Sequence, residues 1–209
     1  MKRVASAVAL ALLLLSPMAS AADWAIAGDA GYHDLTNATN SARAIFGNSG
    51  GFTAGGLLRV GFGPSWFVGA GGRYFSRKGE RVFVPPDKSA VFKLGHPLTL
   101  NVVPVYGLIG YRFSPSSRFD PYLAIGGGAT KHTEKSTIAG LTETETQTKA
   151  SGHFAGGVEY GLGNFRVGAE AMYSVVPNTI GLGGVSKVYG EKDIGGFSIV
   201  GRLVFTPGH

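Results

Sequence analysis

The chain has 209 residues, a formal net charge of +6 and 34 glycines, but no cysteine. The absence of cysteine excludes a disulfide framework and any metal site with cysteine ligands. Because the positive charges form no cluster of lysines and arginines, the composition argues against nucleic acid as a partner.

The first predicted element is a cleaved secretory signal peptide over residues 1–21, which precedes a mature domain over residues 22–209. Lys2-Arg3 is followed by about a dozen apolar residues, and Ala19-Ser20-Ala21 supplies the small residues of a cleavage site, although a cut one residue later also fits. The alternative is a transmembrane anchor. This apolar stretch is too short for a hydrocarbon core about 30 Å thick, so the signal peptide is preferred. Its removal lowers the net charge to +4.

The mature chain is predicted to form eight β-strands, because apolar residues recur at every second position. No helix is predicted in this part of the chain. Most of the segments are close to the 9–11 residues that a tilted membrane strand needs. The predicted strands are Asp23–His33, Phe52–Phe62, Trp66–Ser76, Leu98–Phe113, Pro121–Thr130, Gly152–Leu162, Phe165–Val176 and Ile194–Phe205.

The connections between these strands alternate strictly between short and long. The three short ones are Gly63-Pro64-Ser65, Ser114–Asp120 and Gly163-Asn164. This order places every tight turn at one end, which is typical of an outer-membrane barrel. The third long connection contains Thr142-Glu143-Thr144-Glu145-Thr146-Gln147-Thr148, which keeps a period of two, so we expect its hairpin to continue above the membrane.

The pattern predicts an all-β, eight-stranded, antiparallel, up-and-down transmembrane β-barrel with apolar residues facing lipid and charges inside. The last strand carries Phe197, Ile199 and Leu203 on one face and Arg202 on the other. The alternative is a soluble calycin-like barrel with its arginines outside. That alternative leaves the many glycines within the strands unexplained, whereas a small, strongly curved barrel needs them.

Charged side chains are predicted to fill the lumen, since pairing around the tight turns places Glu159 opposite Gly168 and Arg59 opposite Gly69. Buried charges must be paired, which favours a structural ion network over a catalytic carboxylate pair. Asp29 is a further candidate for this network. The predicted lumen ion network consists of Arg59, Arg73, Arg112, Glu159, Arg166, Glu170 and Arg202.

Aromatic residues near the tight turns predict a girdle at the membrane interface. Two strands are less regular. Pro104 predicts a bulge or a change of phase in the fourth strand, and either Tyr122 or Leu123 of the fifth strand fits the lipid face. The predicted girdle consists of Phe62, Trp66, Phe113, Tyr122, Phe165 and Phe205.

Two stretches resemble a known family. Tyr111-Arg112-Phe113 followed by Phe119-Asp120-Pro121-Tyr122-Leu123-Ala124-Ile125-Gly126-Gly127-Gly128 is similar to the strand–turn–strand of small outer-membrane barrels such as OmpW and the OmpA transmembrane domain. The resemblance implies an outer-membrane location and recognition of the last strand by the barrel-assembly machinery. Such barrels commonly end on an aromatic residue, whereas Phe205 here is followed by four more residues.

The chemistry-bearing residues predict no enzyme, no metal site and no cofactor, since no two of the five histidines share a metal-ligand spacing. His33 and His153 are expected to make hydrogen bonds near the outer rim. The preferred function is a non-enzymatic envelope or surface role with outer-membrane lipid as a partner. One alternative is a narrow channel for small or hydrophobic solutes, which the OmpW-like resemblance implies. The other is a lipid-modifying enzyme, for which no residue set is visible. The partner at the surface is then a hydrophobic solute or an extracellular ligand.

Overall fold

Eight antiparallel strands form a closed barrel in which each strand pairs with its sequence neighbours and the last pairs with the first. This computed structural model describes residues 24–138 and 140–207, so the predicted signal peptide lies outside the described residues. The predicted fold class is confirmed. The strands are β1 (Trp24–Asp34), β2 (Gly50–Phe62), β3 (Trp66–Phe83), β4 (Phe92–Arg112), β5 (Phe119–Ile138), β6 (Leu141–Leu162), β7 (Phe165–Val175) and β8 (Gly196–Phe205).

The middle four strands are longer than the sequence predicts. They contain 18, 21, 20 and 22 residues, whereas crossing the bilayer takes about 9–11. The surplus lies at the end with the long connections, so β3–β6 form a four-stranded sheet that projects beyond the membrane. The expected extension of the β5–β6 hairpin is confirmed, because the two strands pair without interruption up to Ile138 and Leu141.

In the described residues the outer loops contain two α-helices and a 3-10 helix over Thr36–Ala38, so the prediction of no helix in the mature chain was wrong. The α-helices are α1 (Thr39–Phe46) and α2 (Gly184–Tyr189). Both are short, which leaves too few residues for a clear helical period in the sequence. Gly47 caps the C-terminus of α1, and its left-handed φ of 79° suits glycine. In the described part of the chain, no helix is long and apolar enough to cross a membrane.

The predicted bulge or change of phase at Pro104 is absent, and that prediction was wrong. Pro104 pairs with Thr130 in a register that runs unchanged along β4 and β5. On the other side of β4, the pairing with β3 is interrupted at Arg73 and Tyr74 of β3 and then resumes in the same register. The missing N–H of proline therefore interrupts one ladder locally and displaces no residue. The register shift in this hairpin lies farther out, between Glu80 and Val82.

Burial alternates along the strands as an inside-out barrel requires. On β8, Ile199 and Leu203 are more than half exposed, whereas Val200 and Val204 are almost fully buried. The fifth strand has one clear phase: Leu123 faces outward and Tyr122 is only 3% exposed. Tyr122 therefore does not belong to the predicted girdle, a correction explained below by its hydroxyl contacts.

The remaining girdle residues lie at the tight-turn end. Trp66, Phe113, Phe165 and Phe205 are exposed on the outer surface, and the partly buried Phe62 pairs with Trp66. The rings of Phe165 and Phe205 pack together with their centroids 5.3 Å apart. This arrangement suits aromatic side chains at the interface between lipid tails and headgroups.

The outer end of the lumen is closed by an apolar cap. Its residues come from the first outer loop, the last outer loop and the inner wall of β3 and β4, and they pack together away from water. Burial of apolar surface stabilises this closure. The apolar cap consists of Leu35, Ala38, Ala42, Phe46, Phe75, Leu100, Val102, Val176, Ile180 and Ile194.

Candidate functional site

All seven residues of the predicted ion network point into the lumen, where the structure places them in two separate clusters. The central cluster also contains two residues from outside these seven, and the basal cluster contains one. The central ion cluster consists of Asp29, Arg73, Tyr122, Glu170 and Arg202. The basal ion cluster, nearer the tight turns, consists of Arg59, Arg112, Asp120, Glu159 and Arg166.

The central ion cluster pairs two arginines with two carboxylates. Arg73 donates to Asp29 through Nε and Nη2, at 3.0 and 3.2 Å, and to Glu170 Oε1 at 2.6 Å. Arg202 also reaches both carboxylates, with Nη2 3.0 Å from Asp29 Oδ2 and Nη1 2.7 Å from Glu170 Oε2. The cluster is therefore neutral, as buried charges require.

A glycine gives the central cluster its geometry. Gly55 lies between Asp29 and Arg73 in the sheet, paired with each across β1–β2 and β2–β3. A Cβ at this position would lie 2.6 Å from Arg73 Cγ and 2.2 Å from the carbonyl oxygen of Gly72. Asp29 and Arg73 meet over Gly55 because no side chain stands between them.

Tyr122 belongs to the central cluster through its hydroxyl. The hydroxyl donates to Glu170 Oε2 at 2.6 Å and accepts from Arg202 Nη1 at 2.7 Å. A phenol that is buried needs such partners, and a lipid-facing position would offer none. These two hydrogen bonds explain why β5 turns Tyr122 inward and Leu123 outward.

The basal ion cluster contains a bidentate ion pair. Arg59 donates from both terminal nitrogens to Glu159, at 2.8 and 3.0 Å, and its guanidinium lies over the Phe67 ring. The predicted opposition of Glu159 to Gly168, and of Arg59 to Gly69, is confirmed by the strand registers. Room beside each charged side chain therefore comes from a glycine on the neighbouring strand.

Asp120 is a fully buried carboxylate that the sequence analysis missed. Arg112 Nε donates to its Oδ2 at 2.5 Å, Arg166 Nη2 lies 3.5 Å from the same atom, and the Ser114 backbone N–H donates to Oδ1. The sequence places Asp120 at the end of the short connection Ser114–Asp120. The usable signal was the strand alternation, which puts Asp120 on the same face as Tyr122.

A small cavity lies between the central ion cluster and the apolar cap. Its volume is about 30 Å³, room for about two water molecules, and its lining includes His33 and Arg73. His33 Nδ1 is 2.8 Å from Ser198 Oγ, and His153 is hydrogen-bonded to Ser151 and Ser174. Both histidines therefore make the hydrogen bonds near the outer end that the sequence analysis expects.

The chemistry available in the lumen is charge pairing. Each of the four carboxylates accepts at least one hydrogen bond from an arginine, which leaves none of them in the arrangement of a free general base. Within residues 24–138 and 140–207, no group of three or more His, Asp or Glu side chains is placed to hold a metal ion.

Comparison with known proteins identifies the architecture. A family model described as an outer membrane protein beta-barrel domain matches residues 5–188. Neisserial surface protein A is 14% identical with a TM-score of 0.53, covering 89% of this chain and 99% of that one. A major outer membrane protein from Thermus thermophilus is 11% identical with a TM-score of 0.59, with the same coverage. At these identities the structural likeness concerns the fold alone. No curated protein matches the chain.

Proposed function

Because the chain belongs to the outer membrane protein β-barrel domain family and is located in the outer membrane, we propose that it is a non-enzymatic, non-conducting barrel with a surface role. Its function lies in the sheet and loops that project from the cell. The barrel holds this outer part in place, and the filled lumen stabilises the barrel.

The observation that carries this proposal is the closure of the lumen at three levels. The basal ion cluster, the central ion cluster and the apolar cap follow one another along the barrel axis. The cavity between the last two is about 30 Å³. An eight-stranded barrel has an interior that side chains can fill, so a continuous water path is not expected.

The surface role is supported by how much of the chain projects outward. The extended strands β3–β6 and the loops with α1 and α2 form a platform above the membrane. Outer-membrane lipid surrounds the apolar belt below it, and the barrel-assembly machinery recognises β8, which ends at Phe205. The signal peptide directs export and is cleaved after Ala21 during translocation, which makes Ala22 the first residue of the mature protein. N-terminal sequencing of the purified protein tests this cleavage.

Conductance in planar lipid bilayers tests the proposal against the narrow-channel alternative. The protein should add no current above that of protein-free bilayers, while a general porin reconstituted in parallel conducts. The variant Phe75→Ala removes a large side chain from the apolar cap and leaves both ion clusters intact, so it should also remain silent. Reproducible single-channel steps from the native protein would overturn the proposal.

A further inference from the structure

Strand β6 has a long edge without a neighbour. On one side β6 pairs with β5 from Leu141 to Tyr160, but on the other its last pair with β7 is Gly152 with Val175. Residues Leu141–Ser151 therefore have an open edge. Within the described part of the chain, the backbone hydrogen bonds outside the strands do not involve these residues.

This open edge projects into water rather than lipid. The free edge, residues 141–151, has the sequence Leu-Thr-Glu-Thr-Glu-Thr-Gln-Thr-Lys-Ala-Ser. Its first six residues, 141–146, are all exposed. Its threonines face the outer side, where Thr146 and Thr142 are hydrogen-bonded to Thr133 and Thr137 of β5. A row of free backbone N–H and C=O groups along a straight edge is a template for another strand.

We infer that the open edge of β6 pairs with the same edge of a second copy of this chain, antiparallel and centred on Thr146. This inference deepens the proposed surface function by naming its partner. In this register Thr146 lies opposite Thr146 of the second copy, and Leu141 lies opposite Ser151.

The length of the edge selects this register. The free stretch begins at Leu141 and ends at Ser151, and Thr146 is its middle residue. A two-fold axis through Thr146 therefore uses every free position. It also brings the tip of the second copy's hairpin to Ser151, one residue short of the place that β7 occupies.

The charges agree with this register and exclude a shift to Glu145. Glu143 lies opposite Lys149 of the second copy, and Glu145 lies opposite Gln147, each pair occurring twice by symmetry. Opposite charges across a strand pair are favourable, and like charges are unfavourable. A shift of the centre to Glu145 would place that carboxylate opposite itself. A shift to Gln147 would keep opposite charges together, because Glu145 would then lie opposite Lys149. It would leave two residues at each end unpaired, so the length of the edge excludes it.

The geometry determines where the second copy lies. The two-fold axis that relates the paired strands is perpendicular to the sheet, so it reverses every direction within the plane of the sheet, including the barrel axis. The second barrel therefore points the opposite way and belongs to a facing membrane. The edge of β6 is a contact between two outer-membrane surfaces.

Cysteine cross-linking tests the pairing, because the native chain contains no cysteine. In Thr146→Cys, the two thiols should form a disulfide, since opposed Cα atoms in an antiparallel pair are about 4.5–5.5 Å apart. Thr133→Cys is the matched control. Thr133 lies beside Thr146 on β5, but the two copies of Thr133 are separated by three strand spacings, about 14 Å. Purified in detergent, Thr146→Cys should give at least about tenfold more disulfide-linked dimer than Thr133→Cys.

A charge exchange tests the register. Lys149→Glu places like charges at both ends of the pairing, so cross-linking through Thr146→Cys should fall about tenfold. The double change Glu143→Lys with Lys149→Glu restores opposite charges and should restore the dimer. In proteoliposomes, the cross-link should join separate vesicles and raise turbidity, and a reducing agent should reverse this effect.

Equal cross-linking of Thr146→Cys and Thr133→Cys, or no effect of Lys149→Glu, would overturn the inference. Dimers that form without joining vesicles would overturn the facing arrangement. A variant that fails to fold is recognised by the loss of its heat-dependent gel shift. It is replaced by a mixture of the single variants Thr144→Cys and Thr148→Cys, because Thr144 of one copy lies opposite Thr148 of the other in the same register. These results are separate from conductance, so the closed-barrel proposal can fail or stand independently.

Discussion

Asp29 and Arg202 lie opposite each other on the first and last strands, and Arg202 Nη2 donates to Asp29 Oδ2 over 3.0 Å. These two residues are 173 positions apart in the sequence. Their ion pair lies on the seam where the sheet closes into a barrel. Because Asp29 also accepts from Arg73, one carboxylate connects β1 to both β3 and β8.

Removing the charge of Asp29 should destabilise the barrel strongly. Asp29→Asn leaves two buried guanidinium groups with one carboxylate, and breaking a buried pair in this way costs about 3–5 kcal/mol. Urea titration in detergent, followed by tryptophan fluorescence, measures the change. The control is Glu80→Gln, which removes the charge of a partly exposed carboxylate that pairs with the exposed Lys93. We expect it to cost less than about 1 kcal/mol. Equal effects of the two variants would contradict the prediction.

The hydroxyl of Tyr122 should contribute through Glu170 and Arg202. Tyr122→Phe is expected to lower the free energy of unfolding by about 1.5–3 kcal/mol, since both hydrogen bonds involve charged groups. Glu170→Gln and the double variant complete a double-mutant cycle, and the two effects should add to more than the effect of the double variant. Simple additivity would show that Tyr122 acts by packing alone.

A side chain at Gly55 should break the contact between Asp29 and Arg73. Gly55→Val places methyl groups where a Cβ already meets Arg73 and the Gly72 carbonyl, so we expect a loss of at least about 1–3 kcal/mol. Gly28→Val is the matched control on the neighbouring strand, because a Cβ there meets nothing within 4 Å. The control should unfold at the native urea concentration or above it. If Gly55→Val were as stable as the native protein, the central ion cluster would have room to rearrange.

Glu191 should hold the two outer loops together. Its carboxylate accepts from the backbone N–H groups of Asn40 and Ser41, both at 2.9 Å, and from the Ser41 hydroxyl. The residue thus caps the first turn of α1 from the last outer loop, and such a cap contributes about 1 kcal/mol. Glu191→Ala should therefore increase amide hydrogen exchange in α1. Asp87→Ala, in the β3–β4 turn, serves as the control and should leave exchange in α1 unchanged.

The transmembrane part of the fold follows from the sequence because period-two alternation and tight turns are local signals. The same signals placed Glu159 opposite Gly168, since a two-residue turn fixes the register of its hairpin. The direction of the Tyr122 side chain is harder to predict, because β5 carries apolar residues on both faces. Only Glu170 and Arg202, which are distant in the sequence, decide which face is inside. Asp120 was missed for a related reason: its arginine partners lie on β4 and β7.

The outer part of the molecule was less predictable. The extensions of β3 and β4 contain Arg77, Gly79, Glu80 and Gly95, and a sequence with such glycines and charged residues predicts a loop. These residues form strands because the extension of β3 pairs with that of β4, and β4 in turn pairs with β5. α1 depends in the same way on its packing in the apolar cap and on Glu191, neither of which leaves a local trace.

The central ion cluster has a consequence for how the barrel forms. Its five residues come from β1, β3, β5, β7 and β8, and no two of these strands other than the neighbouring pairs β1–β8 and β7–β8 are adjacent. A nascent sheet that grows hairpin by hairpin therefore carries unneutralised charge on its concave side until the final strand arrives. Contacts of such high sequence separation slow folding. The rate of assembly should accordingly depend on the last step, when both ends of the polypeptide come together and the concave surface loses its water.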